Sequence, residues 1–190
     1  MACTSGADLQ RLLRDDISAL SSDLLVIAEE YGSWEDARRR IDLLAIDKAG
    51  RLVVVELKRT EDGGHMDLQA LHYAAMVSSL GFSEAAEYAA HCAKRRPDED
   101  IDARAELIGV LGLPDDAEEP VISSDVRIML VAADFGREIT TTVLWLNRFD
   151  GMDIRCVRLV PYEIDSKVLL DIQQTPPWSR VASIRTLIKQ

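Results

Sequence analysis

The chain has 190 residues, 33 acidic and 22 basic, for a formal net charge of -11, with 47% hydrophobic and 29% charged side chains. That is the length of one ordinary domain and the composition of a globular protein that builds its core without staples, which excludes a disordered, fibrous or disulfide-scaffold chain. Cys3, Cys92 and Cys156 lack disulfide or metal-knuckle spacing, residues 1–6 do not begin as a signal peptide, and no apolar run approaches the ~20 residues that cross a bilayer, so a cytoplasmic protein without membrane contact is expected.

Leu9, Leu12, Leu13, Ile17 and Leu20 recur at steps of three and four, which predicts an amphipathic helix over 8–20. Residues 24–28, 41–47 and 52–58 are short runs rich in Ile, Leu and Val and read as strands. Lys48-Ala49-Gly50, between the last two, reads as a hairpin loop in which Gly50 is free to take positive φ. Helical spacing returns over 66–80 with Leu68, Leu71, Ala75, Met76 and Leu80, and Ser83 ahead of Glu84 and Glu87 suggests a second, capped helix. From 97 to 120, nine acids stand against Arg104 alone, so this segment reads as a solvated acidic insertion with a helical turn or two over 106–113. Residues 126–133 are apolar enough for a buried strand, and 137–148 read as a helix despite Thr140-Thr141-Thr142. Residues 154–160 and 168–172 are further strands, and 176–190 read as a separate tail helix. The expected fold is α/β, a mixed central sheet flanked by helices, in one domain over 1–175 followed by that tail.

The chemistry concentrates around residues 41–58. Leu52, Val54, Glu56 and Lys58 share one face of their strand, and Val53, Val55 and Leu57 share the other. Both faces begin apolar, so the strand is central and covered on both sides. A carboxylate and an ammonium at its end are costly there unless partnered or facing a cleft. If Lys48, Ala49 and Gly50 form a three-residue loop, Asp47 pairs with Arg51 and Asp42 falls opposite Glu56, two carboxylates about 5 Å apart on one face. A two-residue Ala49-Gly50 turn instead sends them to opposite faces. Facing carboxylates repel, and a protonated carboxyl or a bound cation relieves the repulsion. Oxygen donors suit a hard divalent ion such as Mg²⁺. Lys58, on the Glu56 face, is placed to hold or help deprotonate a water attacking phosphorus while the metal polarises the phosphate. Gln69 and Tyr73, four apart on one helix, can point at a common site. Plainer readings exist for each: acids near strand ends are common, His65 and His72 read as surface or loop residues, Cys92 as core filling, and 38–40 and 94–96 as solvated charge runs.

Asp42, Glu56, Lys58 and a Gln69-x-x-x-Tyr73 pair together resemble the PD-(D/E)XK nuclease superfamily, in particular its RecB-like branch. The wording Arg-Ile-Asp-Leu-Leu-Ala-Ile-Asp followed by Val-Val-Val-Glu-Leu-Lys-Arg is similar to the catalytic domain of NucS-type DNA endonucleases, over about residues 8–80. The resemblance implies a restriction-endonuclease-like α-β-β-β-α-β core. It implies Asp42, Glu56 and the Leu57 carbonyl as ligands of Mg²⁺, for which Mn²⁺ substitutes, and Lys58 as the catalytic lysine. Gln69 and Tyr73 would position the strand or the attacking water. The implied activity is hydrolysis of phosphodiester bonds in nucleic acid, foremost as a DNA endonuclease, with a homodimer as a possible assembly through an apolar patch at 143–146 or the tail. The family often carries a further acid on its first helix. Gln10 stands at the best-matching position here, with Asp8, Asp16 and Glu30 as acids that would have to replace it. That departure supports the alternative of a weak or inactive nuclease-fold module binding nucleic acid or a protein partner.

The acidic balance does not exclude such a face. Arg38, Arg39, Arg40, Lys48, Arg51, Lys58 and Arg59 outnumber Asp42, Asp47 and Glu56 around the motif, with Arg40 and Arg59 as candidate phosphate contacts, whereas the acidic excess collects at 97–120. Weak, salt-sensitive non-specific binding is the expectation.

Overall fold

Helix α1 (Gly6–Asp15) lays its leucine stripe on the sheet, with Leu13 fully buried. It ends earlier than expected because Asp16 accepts the Ser18 N–H at 3.2 Å and opens a short 3-10 turn over Ile17–Ala19. The computed structural model describes residues 6–31, 40–58, 66–94, 102–118, 120–164, 167–175 and 181–187.

Strands β1 (Leu24–Tyr31), β2 (Ile41–Asp47) and β3 (Arg51–Leu57) follow as an antiparallel meander. Of the two registers open to the β2–β3 hairpin, the three-residue loop is the one formed, with Leu43 opposite Val55 and Ile46 opposite Leu52. The Asp47 side chain sets that loop by accepting the Ala49 and Arg51 N–H groups at 2.9 and 3.0 Å, while Gly50 takes φ 74.

Helices α2 (Met66–Val77), α3 (Phe82–Ala93) and α4 (Ala103–Leu111) cover one face of the sheet. Helix α3 starts before Ser83: the Gly81 N–H donates to the Glu84 carboxylate at 2.9 Å, so Gly81, extended at φ -89, is its cap. The acidic segment is not simply a solvated excursion. Asp102 caps α4 through the Arg104 and Ala105 N–H groups, and Ala103, Leu107 and Ile108 are buried against α3 and the meander. The apolar residues keep helical spacing, and the acids stay off that face.

Strand β4 (Ser123–Ala132) pairs parallel with β3, and after α5 (Arg137–Leu146) β5 (Asp153–Ile164) pairs parallel with β4. The threonine run is tolerated in α5 because Thr140 and Thr141 donate to the Arg137 carbonyl at 3.0 and 2.7 Å. Strands β6 (Lys167–Thr175) and β7 (Val181–Leu187) complete an antiparallel edge. The tail expected as a helix over 176–190 is therefore a strand where it is described; Val181, Ile184 and Thr186 are β-branched and β6 offers an open edge. The whole is an α/β fold, a seven-stranded mixed sheet in sequential order with helices on its faces.

Strand β3 lies between β2 and β4, and both its faces are covered by packed side chains. Val53, Val55 and Leu57 join the cluster of Leu13 and Ile17, and Leu52 and Val54 join that of Tyr73, Val77 and Leu107. The hairpin end of the sheet buries charge as well. Asp47 is 0% and Arg127 3% exposed; Arg127 reaches Asp153 at 2.7 Å and Asp47 at 3.3 Å, and Arg51 meets Asp47 at 2.9 Å. Burial alone would raise the Asp153 pKa, but hydrogen bonds and charge from Arg155 and Arg127 outweigh it and hold the carboxyl below its ordinary range. Arg127→Leu removes the buried cation that Asp47 and Asp153 share, leaving Arg51 and Arg155 as their remaining counter-charges, and is expected to cost about 3 kcal/mol in urea denaturation. A loss under about 1 kcal/mol would mean that water reaches these groups.

Candidate active site

The site lies at the end of β3 remote from the hairpin. The β2–β3 ladder runs to Leu43 and Val55, and the same register carried one residue further sets Asp42 opposite Glu56. There, Asp42 Oδ2 accepts the Leu57 N–H at 2.7 Å, and the Asp42 backbone N–H in turn bonds the Glu56 carboxyl. Each acid thus grips the backbone of the other strand. Glu56 is 6% exposed, and its Oε1 is buried with no hydrogen-bond partner. Burial first, and then the charge of Asp42, push Glu56 up to about 9, with the bond from the Asp42 backbone offsetting only part. Without a cation, Glu56 is a protonated acid at neutral pH.

The other expected site residues fall into three groups. Lys58 follows directly, half-buried, its N–H bonded to the Val131 carbonyl at 2.8 Å, so its position is fixed by β4. Gln69 and Tyr73 meet, with Gln69 Nε2 donating to Tyr73 Oη at 2.7 Å; Tyr73, 2% exposed, packs with Leu52 and Val54 on the face that carries Glu56. Arg40 is at the surface in an ion pair with Glu30 at 3.1 Å, and Arg59 lies outside the described residues, as do Arg38 and Arg39. His72 is exposed and Cys92 buried, as expected, while His65 lies outside the described residues.

Gln10 is a buried member of the α1 stripe at 4% exposure, and its Nε2 donates to the Asp42 carbonyl at 3.2 Å. Of the acids that might replace it, Asp16 caps the 3-10 turn and Glu30 pairs with Arg40; the side chain of Asp8 is outside the described set. Among the described residues no three His, Cys, Asp or Glu side chains form a metal cluster. A cation here would rest on two carboxylates, backbone oxygen and water, and the partnerless Glu56 oxygen fits that role. In the 143–146 segment expected as a dimer patch, Leu144 and Trp145 are exposed, but Val143 belongs to the core.

The acidic segment lies far from this site where it rejoins the sheet. Leu111 packs against Gly50, and the Ser123 N–H donates to the Gly50 carbonyl at 2.8 Å. Glu56 lies six residues along the strand from Gly50, about 20 Å at 3.3 Å per residue. The loop that follows α4 is strapped down by Arg104, which donates to the Ala117 and Glu118 carbonyls at 2.9 and 3.0 Å.

No protein-family model, curated protein or solved structure matches this chain. No helix among the described residues is long and apolar enough to cross a membrane.

Glu56 makes stability depend on pH with a definite sign. Its folded pKa of about 9 is above the ordinary 4.5, so the folded state holds a proton that the unfolded chain has released between those values. The contribution of Glu56 to the stability of the metal-free protein is then greatest below the lower value and falls as pH rises toward the upper, by up to about 1.4 kcal/mol per unit. Glu56→Gln is expected to flatten this slope and to be the more stable protein at neutral pH. Parallel urea-denaturation profiles for the two proteins across that range would contradict it.

Proposed function

We propose that the chain is a divalent-metal-dependent nuclease that hydrolyses phosphodiester bonds, with DNA as the foremost substrate, built on a restriction-endonuclease-like core. The observation that carries this reading is the buried, partnerless oxygen of Glu56 beside Asp42. A protein core does not retain two facing carboxylates without a use for them, and oxygen donors with little other satisfaction suit a hard cation. The order of one helix, three antiparallel strands, helices and a parallel strand supports the same reading, as it is the order the resemblance implies.

Asp42, Glu56 and the Leu57 carbonyl would hold Mg²⁺, or Mn²⁺ in its place. When bound, such an ion supplies Lewis acidity at the phosphoryl oxygen and lowers the pKa of water. Glu56 must give up its proton to become a ligand, so loading is favoured as pH rises. Lys58, held at the strand end by β4, would orient the attacking water and offset negative charge developing on phosphorus. Gln69, anchored to Tyr73, would position the substrate strand, and Arg40 with Arg59 would contact phosphates. The acidic segment rejoins the sheet at Gly50, remote from the site, which makes the chain's charge compatible with a polyanion.

A second reading is favoured by Gln10. An amide where an acid would add a ligand fits a nuclease-fold module that binds nucleic acid or a protein partner with little or no activity. Cleavage of plasmid and single-stranded DNA with Mg²⁺ or Mn²⁺ decides between the two. Turnover that falls roughly a hundredfold or more in Glu56→Gln and Lys58→Ala, both folded, is the expected result. Absence of cleavage for any DNA or RNA with either ion would favour the binding module.

A further inference from the structure

Helix α1 buries an amide where its pattern calls for an apolar residue. Leu9 and Leu13 flank Gln10 on the inner side, and a neutral amide placed there is costly unless bonded. Its bond goes to the carbonyl of Asp42. The three polar groups of Asp42 therefore have separate partners: the carboxylate takes the Leu57 N–H, the backbone N–H goes to Glu56, and the carbonyl takes Gln10. The first two partners belong to β3, whereas Gln10 reaches Asp42 from α1, outside the hairpin.

We infer that Gln10 is a positioning residue, which holds the Asp42 carboxylate on the Leu57 N–H by fixing the Asp42 backbone. A carbonyl can only accept, and an ionised carboxylate has no proton to donate, so glutamate at this position would set oxygen against oxygen. The amide is thus a requirement of the bond. Helix α1 acts on the site through Asp42 without contributing a ligand. The consequence for metal affinity rests on the nuclease reading above, whereas the consequence for the Leu57 amide does not.

The two consequences are measured separately on the full chain. Gln10→Leu keeps the side-chain bulk in the apolar stripe, and Gln10→Met is a second variant of similar length, also without a donor. Amide hydrogen exchange followed by NMR is expected to be about tenfold faster at Leu57 in either variant, with Val53 and Val55 unchanged. Calorimetry with Mn²⁺ is expected to give about tenfold weaker binding than in the native protein, the effect of losing a group that orients a ligand. Unaltered Leu57 exchange, or equal acceleration along all of β3, overturns the inference, the latter by making Gln10 a general packing residue. If the native protein binds no Mn²⁺ while Leu57 responds as expected, positioning by Gln10 stands and the nuclease reading falls.

Discussion

Two carboxylates face each other at the end of a strand that is covered on both sides, and the candidate site depends on this constraint. Glu56 is buried and Asp42 half-buried, so water screens their charges poorly and they cannot both ionise cheaply without a counter-charge. The pair exists only in one register of the hairpin. A slip of one residue would move Glu56 to the opposite face of β3 relative to Asp42, and the Asp47 carboxylate, by holding the loop N–H groups, excludes that slip. A side chain at one end of the sheet thereby fixes the chemistry at the other.

The two ends handle buried charge in opposite ways. At the hairpin end, Asp47 receives two backbone N–H groups and both Arg51 and Arg127, and Asp153 receives Arg127 and Arg155. Each charge there has an opposite partner, and the arginines tie β3, β4 and β5 together. At the site end, Glu56 has one backbone donor and an oxygen with none. The well-satisfied end gives a rigid platform, and the under-satisfied end retains free energy that a ligand can recover. A side-chain difference of this kind along a single sheet is what separates structural burial of charge from a binding site.

The hairpin and the position of Gly50 were legible in the sequence, whereas alternation over 52–57 left a two-residue and a three-residue loop both open, and the Asp47 carboxylate on the Ala49 and Arg51 N–H groups makes the choice. Helix α2 followed from its periodicity. Helix α4 was masked by the charge around it: nine acids in one segment outweigh Leu107 and Ile108 in any reading by composition, although those residues hold the helix to the core. The tail strand was misread as a helix because its partner, β6, is a tertiary fact. The arginine network could not be anticipated, as Asp47, Arg127 and Asp153 are remote in sequence and meet only when four strands align. Gln10 stood out only as the amide at the position where the resemblance places an acid, and its partner, the Asp42 carbonyl, emerges from the docking of α1 on β2.

Charge is distributed to match. The acidic segment rejoins the sheet about 20 Å from Glu56, and the net charge of -11 says little about the surface near the site. The central claim is that the Asp42–Glu56 pair exchanges a proton for a divalent cation. Calorimetric titration with Mn²⁺ in two buffers of different ionisation enthalpy counts the protons directly. One Mn²⁺ per chain, releasing about one proton at neutral pH and failing to bind in Asp42→Asn, is the predicted result. Binding without proton release, or release unchanged in Glu56→Gln, would contradict it.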